Sequence, residues 1–499
     1  MELKMESTGI ACMEPVLRET QNQEQTQELR LGDGMPDIGR VLAAWGQPVL
    51  RGKEWRTGSI SASGGMMVWV LYAPEDGSGE QWLETWIPFQ MRWDVPEDKP
   101  DGVLFLRWLP RFVDARSVSP RKILVRCGLG CGAEAYIPSE VRVKQVISSP
   151  PDVQLLRQNY PVRLPKEAGE KSFLMDEELS VPNELPRPEK IVRCSLTVQA
   201  AEKKVLTNRL LFRGSGALHL LYRGEDGKLH GWDTELPFSQ YADLEGEYGT
   251  DAQADIRMMV TSLEPELDEE GRLRVKCGAV GQYLITDREI LELIQDAYSP
   301  ARELTTAVAE EKLPAVLEET VLPVHVEQTV PGEAASVVDV CILPDLPRER
   351  REENTRVLEN TAAIQVLYYG EDEALHASTA KWEESLSLKA DPTCQITAFP
   401  VAPGSVQTVR TGDGNLVRGE LALEQHTYAS QGIPMVSGVE LGDEKKPDPG
   451  RPSLILCRRG KRKLWDIAKA SGSTVDAIRS ANHLTDEPAE NQMLLIPIQ

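Results

Sequence analysis

The sequence predicts a mainly β protein: three tandem β-rich domains, sandwich- or barrel-like, followed by a small βααβ module. The first observation behind this is a phrase written three times. It occurs as Val68-Trp69-Val70-Leu71-Tyr72 with Glu75-Asp76, as Leu218-His219-Leu220-Leu221-Tyr222 with Glu225-Asp226, and as Ile364-Gln365-Val366-Leu367-Tyr368 with Glu371-Asp372. The tyrosines stand 150 and 146 residues apart, a period too long for a solenoid unit and right for a small domain. The second observation is two-residue alternation of apolar and polar side chains, the mark of a half-buried strand. In the second copy Leu210, Phe212, Leu218, Leu220 and Tyr222 share one face while Arg213, Ser215 and His219 fall on the other, which predicts a strand with one wet side.

Taken in order, residues 1–27 are rich in Gln and Glu and read as a loose leader. The first domain spans 28–150, the second 151–299 and a divergent third 300–441. Each continues with a second alternating segment: Leu83-Glu84-Thr85-Trp86-Ile87-Pro88-Phe89, then Trp232-Asp233-Thr234-Glu235-Leu236-Pro237-Phe238, then more loosely Trp382 to Leu388. The acidic pairs stand in turns, where Asp and Gly suit hairpin geometry, and nothing around them supplies the pocket a carboxylate pair needs for acid–base chemistry. A further hairpin is expected near Ser117–Arg121, Asp268–Arg272 and Thr411–Asn415. Helical signal is sparse, but Thr286-Asp287-Arg288-Glu289 has the form of a capping box, with Ile290, Leu291 and Ile294 as an apolar stripe, and predicts a helix over 287–297.

Residues 442–452, with Pro447, Pro449 and Gly450, cannot hold a helix or a central strand and read as a linker. The module 453–499 then follows in the order strand, helix, helix, strand. Leu454 to Cys457 opens it, Leu464, Ile467 and Ala468 line one helical face, Ser473-Thr474 caps the second helix, and Met493 to Pro497 closes it.

Composition narrows the function classes. The net charge of −23 argues against nucleic-acid binding, which needs clustered Lys and Arg against phosphate. Residues 451–499 hold eight Lys and Arg against five Asp and Glu, a balance of +3, so the remainder carries −26. A basic module is appended to an acidic body. The amino terminus has no apolar run suited to a signal peptide and no later segment is long and apolar enough for a membrane span, so a cytosolic protein with reduced cysteines is expected. Cys127 and Cys131 lack a second ligand pair at zinc spacing, and no metal or other cofactor is expected. The chain has no phosphate-binding loop, zinc-protease helix or serine nucleophile elbow, and the Ser119-Pro120-Arg121-Lys122 spacing lies in a turn without companion motifs, so an enzyme is not expected.

Residues 453–498 resemble a LysM domain through Leu464-Trp465-Asp466-Ile467-Ala468, Thr474-Val475-Asp476-Ala477-Ile478, Ala481-Asn482-His483-Leu484 and Leu494-Leu495-Ile496-Pro497. The resemblance implies N-acetylglucosamine polymers as a ligand class, but Gly460-Lys461-Arg462-Lys463 stands where most members have Gly-Asp-Thr. The body, through Val366-Leu367-Tyr368, Leu236-Pro237-Phe238 and Ala297-Tyr298-Ser299-Pro300, is similar to the SPOCS repeats of clostridial spore-coat proteins. Together the parts resemble the SipL-like family of coat morphogenetic proteins. That implies a non-enzymatic scaffold at the forespore surface in the mother-cell cytosol, whose partner is a SpoIVA-like coat ATPase. The alternative is a peptidoglycan-binding wall protein. The residues expected to meet the partner are Arg459, Lys461, Arg462, Lys463, Trp465, Ile478 and Asn482, because Trp and Arg dominate interface energetics and a basic run speeds association with an acidic surface.

Overall fold

The computed structural model describes residues 5–97, 101–146, 149–352, 355–388, 394–401, 406–446, 450 and 452–498. It contains a first strand set β1 (Met5–Arg30), β2 (Ile38–Arg56), β3 (Ser59–Pro74), β4 (Gln81–Asp94), β5 (Val103–Ser119) and β6 (Lys122–Val146). A second comprises β7 (Gln154–Leu179), β8 (Pro188–Leu206), β9 (Arg209–Gly224), β10 (Leu229–Asp243), β11 (Gln253–Leu267) and β12 (Leu273–Tyr298). The third comprises β13 (Arg302–Val330), β14 (Ser336–Pro344), β15 (Arg348–Glu352), β16 (Thr355–Tyr369), β17 (Leu375–Leu388), β18 (Gln395–Val401), β19 (Gln407–Thr411) and β20 (Gly414–Glu444). The chain closes with β21 (Leu454–Arg458), α1 (Leu464–Ser471), α2 (Val475–Ala481) and β22 (Met493–Pro497). Among the described residues no helix is long and apolar enough to cross a membrane.

The same antiparallel connectivity recurs in each set. One sheet is a meander, β2-β3-β4, β8-β9-β10, or β14 and β15 beside β16 and β17. The other pairs the first long strand with the last, as β1-β6-β5, β7-β12-β11, and β13-β20 with β18 and β19. The two sheets of a set enclose one apolar core: Ile60, Val68, Phe89 and Trp93 meet Leu106, Trp108, Val125 and Leu129 in the first. Leu210, Phe212, Leu220 and Phe238 meet Ile256, Val275 and Ala279 in the second. The phrase tyrosines are anchors of these cores. Tyr72 and Tyr222 are fully buried and each donates from its hydroxyl to the carbonyl 36 residues earlier, Pro36 at 3.1 Å and Pro186 at 2.9 Å.

The acidic pairs build turns. Asp76, Asp226 and Asp372 each accept from the backbone N–H two residues on, at 2.9, 3.0 and 3.1 Å, the local bond that makes Asp a turn former. The residue after the aspartate sits at positive φ: Gly77 at +70°, Gly227 at +79°, but Glu373 at +57°. A side chain in that region costs about 1–2 kcal/mol, partly offset by the greater unfolded freedom of glycine. Glu373→Gly is therefore expected to stabilise the protein by about 0.5 kcal/mol, read as a small rise in melting temperature.

Three expectations need correction. The leader is no loose segment: β1 pairs with β6 from Met5↔Val146 to Arg30↔Lys122, and its polar residues occupy the exposed positions of an edge strand. The helix over 287–297 is strand throughout, because β12 continues its ladder with β7 as Asp287↔Leu164, Glu289↔Val162 and Leu291↔Tyr160. This pairing buries Leu291 and Leu293 and leaves Ile290 61% exposed, and long-range backbone bonds outweigh the local cap. The far side of β9 is only partly wet. Leu221 is buried with Trp69, Leu71 and Leu367, where meanders of all three sets meet.

That meeting makes the three sets one body. Equivalent positions, identified by register, carry different residues that complement one another: Phe105 pairs with Glu134, Asp255 with Leu284 and Thr397 with His426. Arg257 of the second set lies 2.6 Å from Glu134 of the first and 3.1 Å from Asp255, and its guanidinium reaches His426 of the third at 3.2 Å. Arg18 stacks over the Tyr428 ring, and the Tyr428 hydroxyl donates to Glu134 at 2.6 Å. Burial alone would raise the Glu134 carboxyl, but Arg257 and Arg18 outweigh it and hold the group at about 2. Burial pushes His426 down to about 3, against the pull of Asp255 and reinforced by Arg107 and Arg257. Among the meander strands Arg193 lies 3.1 Å from Asp339 and stacks over Trp45, again joining all three sets.

Candidate functional site

Two places among the described residues are candidates for a functional site. The first is a cavity of about 700 Å³ where the three sets converge, walled by Trp45, Trp108, Met259 and Phe399 with Arg107 and Lys203 at its polar side. Its charges are already matched, Arg107 with Glu424 at 2.5 Å and Lys203 with Glu319 at 2.7 Å. Asp255, Glu319 and His426 nearby offer ligand atoms within 4.8 Å of one another. Each of these groups already has a cationic partner, Arg257 on His426 and Asp255 and Lys203 on Glu319. The buried Cys127 and Cys131 belong to the first core, and burial pushes both thiols up to about 12, away from the thiolate a metal requires.

The second is the carboxyl-terminal module. Thr474 caps α2 by accepting from the Ala477 N–H at 3.1 Å, and the Lys463 N–H at the start of α1 donates to Asp466 at 3.3 Å. Gly472 ends α1 in the left-handed region at φ +63°, the usual glycine stop. Leu464, Ile467, Ala468 and Ile478 pack on Leu494 and Ile496 of the two-stranded sheet.

Of the seven residues expected to meet a partner, the structure leaves three on the surface. Lys461, Arg462 and Lys463 are exposed on the loop between β21 and α1, where Gly460 at φ +61° turns the chain. Ile478 is fully buried inside the module. Asn482 is a clasp: its side chain donates to the Leu495 carbonyl at 2.6 Å and accepts from the Leu495 N–H at 2.8 Å. Arg459 donates to the Pro488 carbonyl and to Glu487 at 3.1 Å, holding the loop against the segment before β22.

Trp465 is only 9% exposed because it faces the body. Its indole N–H donates to Asp296 at 2.8 Å, and its ring meets Tyr298 edge-on at 4.8 Å between centroids. Lys469 reaches the same Asp296 carboxylate at 2.8 Å, and Tyr298 donates to the Ser473 carbonyl at 3.0 Å. Burial works to raise Asp296, but the bonds from Lys469 and Trp465 prevail and hold it below the usual carboxylate range. The module that follows the expected linker is thus docked on the body. Its connection begins fixed, with Lys445 bonded to Ala301 and Ser299 of the body, while Pro447 to Pro449 and Arg451 lie outside the described residues. Sequence reasoning missed Asp296 and Lys469, which show no local signal; Tyr298 stood within the Ala297-Tyr298-Ser299-Pro300 phrase already singled out.

Comparison with known proteins bears on the second strand set. The family model described as SipL, SPOCS domain matches residues 188–267. Those bounds run from the first residue of β8 to the last of β11, the meander plus one strand of the facing sheet. The segment is similar to the SipL SPOCS domain, and this links the chain to sporulation and the spore coat. No curated protein and no solved structure matches the chain.

Proposed function

We propose that the chain is a non-enzymatic scaffold in endospore coat assembly, built from three SPOCS-type units and a LysM module that docks onto a coat protein, a SpoIVA-like ATPase at the forespore surface. The observation that carries this reading is the charge division made visible on the fold. The exposed loop Lys461-Arg462-Lys463 projects from a +3 module mounted on a body of −26, alongside a segment similar to a coat-protein domain. Closure of the three sets into one body supports a rigid platform for that head, and a basic loop suits an acidic protein surface.

The test is a triple charge reversal, Lys461→Glu, Arg462→Glu and Lys463→Glu, in the full chain, with binding to a purified SpoIVA-like ATPase measured by surface plasmon resonance. The association rate is expected to fall about tenfold or more, and the wild-type rate to fall with added salt. Unchanged, salt-insensitive association would defeat the reading. Pelleting of the wild-type protein on purified peptidoglycan without ATPase binding would favour the wall-glycan alternative.

A further inference from the structure

The face of the module opposite its helices is apolar and uncovered. Leu454, Leu456, Met493 and Leu495 are 51%, 60%, 49% and 39% exposed, and in register Leu456 stands directly across from Leu495. The alternation that makes Ile455, Leu494 and Ile496 face the helices necessarily turns these four outward.

The two edges of this sheet are not alike. Asn482 occupies the outer edge of β22 by bonding both the N–H and the C=O of Leu495. Those groups therefore point away from β21, so Leu456 opposite them also points its own N–H and C=O outward. By the same alternation Leu454 and Arg458 do so too. Arg462 donates to the Arg458 carbonyl at 3.3 Å, whereas among the described residues no hydrogen bond reaches the outward groups of Leu456. An edge with unpaired backbone beside exposed apolar side chains is a template for an added strand. Arg458, Lys461 and Arg462 stand at one end of it.

Resting on the reading of this module as the docking head, we propose that β21 accepts an extended segment of a protein partner as a third strand. The segment alternates apolar residues, seated on Leu456 and Leu495, with acidic residues that meet the basic end of the edge. Backbone bonds supply affinity, and the apolar face with its basic rim selects the pattern.

The experiment uses the full chain and a fluorescein-labelled heptapeptide alternating Glu and Val, read by fluorescence anisotropy. Controls are a peptide of the same composition with its Glu and Val in separate blocks, and an alternating Lys and Val peptide. The alternating acidic peptide is expected to bind and both controls to bind at least about tenfold more weakly. Leu456→Ser and Leu495→Ser, each at an exposed site that should leave the fold intact by circular dichroism, are expected to weaken binding about tenfold through lost apolar contact. Equal binding of the alternating and block peptides, or wild-type affinity in both serine variants, would overturn the edge site. That result would stand apart from the loop charge reversal: loss of the ATPase in the loop variant with peptide binding intact in the serine variants sinks the edge and spares the docking head.

Discussion

Replacing Arg257 by methionine is expected to cost the body about 3–5 kcal/mol, because it removes the cation that lies nearest both buried carboxylates and leaves Glu134 only the more distant Arg18 at 3.8 Å. Arg257 is 3% exposed and is the second set's contribution to a contact that all three sets share, so the loss should not stay local. Urea unfolding should show it as a lower midpoint, and analytical ultracentrifugation as expansion before full unfolding. A double replacement, Arg257→Met with Glu134→Gln, should recover part of the loss, since the penalty lies in the under-compensated carboxylate more than in a missing attraction. The same junction sets the acid limit of the fold. His426 is held down at about 3 against an ordinary 6.5, so the unfolded chain binds the extra proton and the stability from this group fades as pH falls from about 6.5 towards 3. Glu134, held at about 2 against 4.5, adds a second loss as pH falls from about 4.5 towards 2. Melting temperatures measured between pH 7 and 3 should therefore fall steadily, and the Arg257→Met protein should fall differently because its reference state is already broken.

Trp465→Ala carries the other large expected effect. Removing a tryptophan buried between α1 and Tyr298 costs about 3–5 kcal/mol by the usual cavity reckoning, enough to release or unfold a module of this size. Asp296→Ala separates those two results. It lies on the body, leaves the module core untouched, and removes the acceptor of both the Trp465 indole and the Lys469 amine. Limited proteolysis should then cut the join after residue 446 faster in Asp296→Ala while the released module stays intact, whereas Trp465→Ala should also lead to digestion of the module itself. Unaltered cleavage in Asp296→Ala would mean that the carboxylate does not hold the module to the body.

The fold was legible where one strand carried its own face pattern. The phrase ending in Tyr72, Tyr222 and Tyr368 marked the central strands β3, β9 and β16 because their inner residues recur every second position. The module was equally plain, since its short helices are capped by neighbours such as Thr474 and its core residues stand at helical spacing. The segment β1 was hidden for a physical reason: beyond the buried Cys12, Met13 and Leu17 its residues are exposed or half-exposed and mostly polar, so the stretch reads like disorder. Residues 287–297 misled because a capping box is a local signal, and the ladder with β7 is bought with residues more than a hundred positions away.

The candidate site divides in the same way. The basic character of Lys461, Arg462 and Lys463 is a property of composition, and the fold left these residues exposed. Trp465, Ile478 and Asn482 could not be sorted by residue type, because burial, a clasp and a docking contact all use the same side chains as a binding surface.

By itself, then, the sequence determined the β character of the body, the position of each central strand and the order of elements in the module, all consequences of side-chain periodicity over a few residues. Only the tertiary structure decided that the three sets close on one another through Glu134, Arg257 and His426, that Trp465 faces inward onto Asp296, and that the open edge is β21 rather than β22. Each of these depends on partners distant along the chain, and their pairing is chosen by complementary charge and backbone register that no local pattern records.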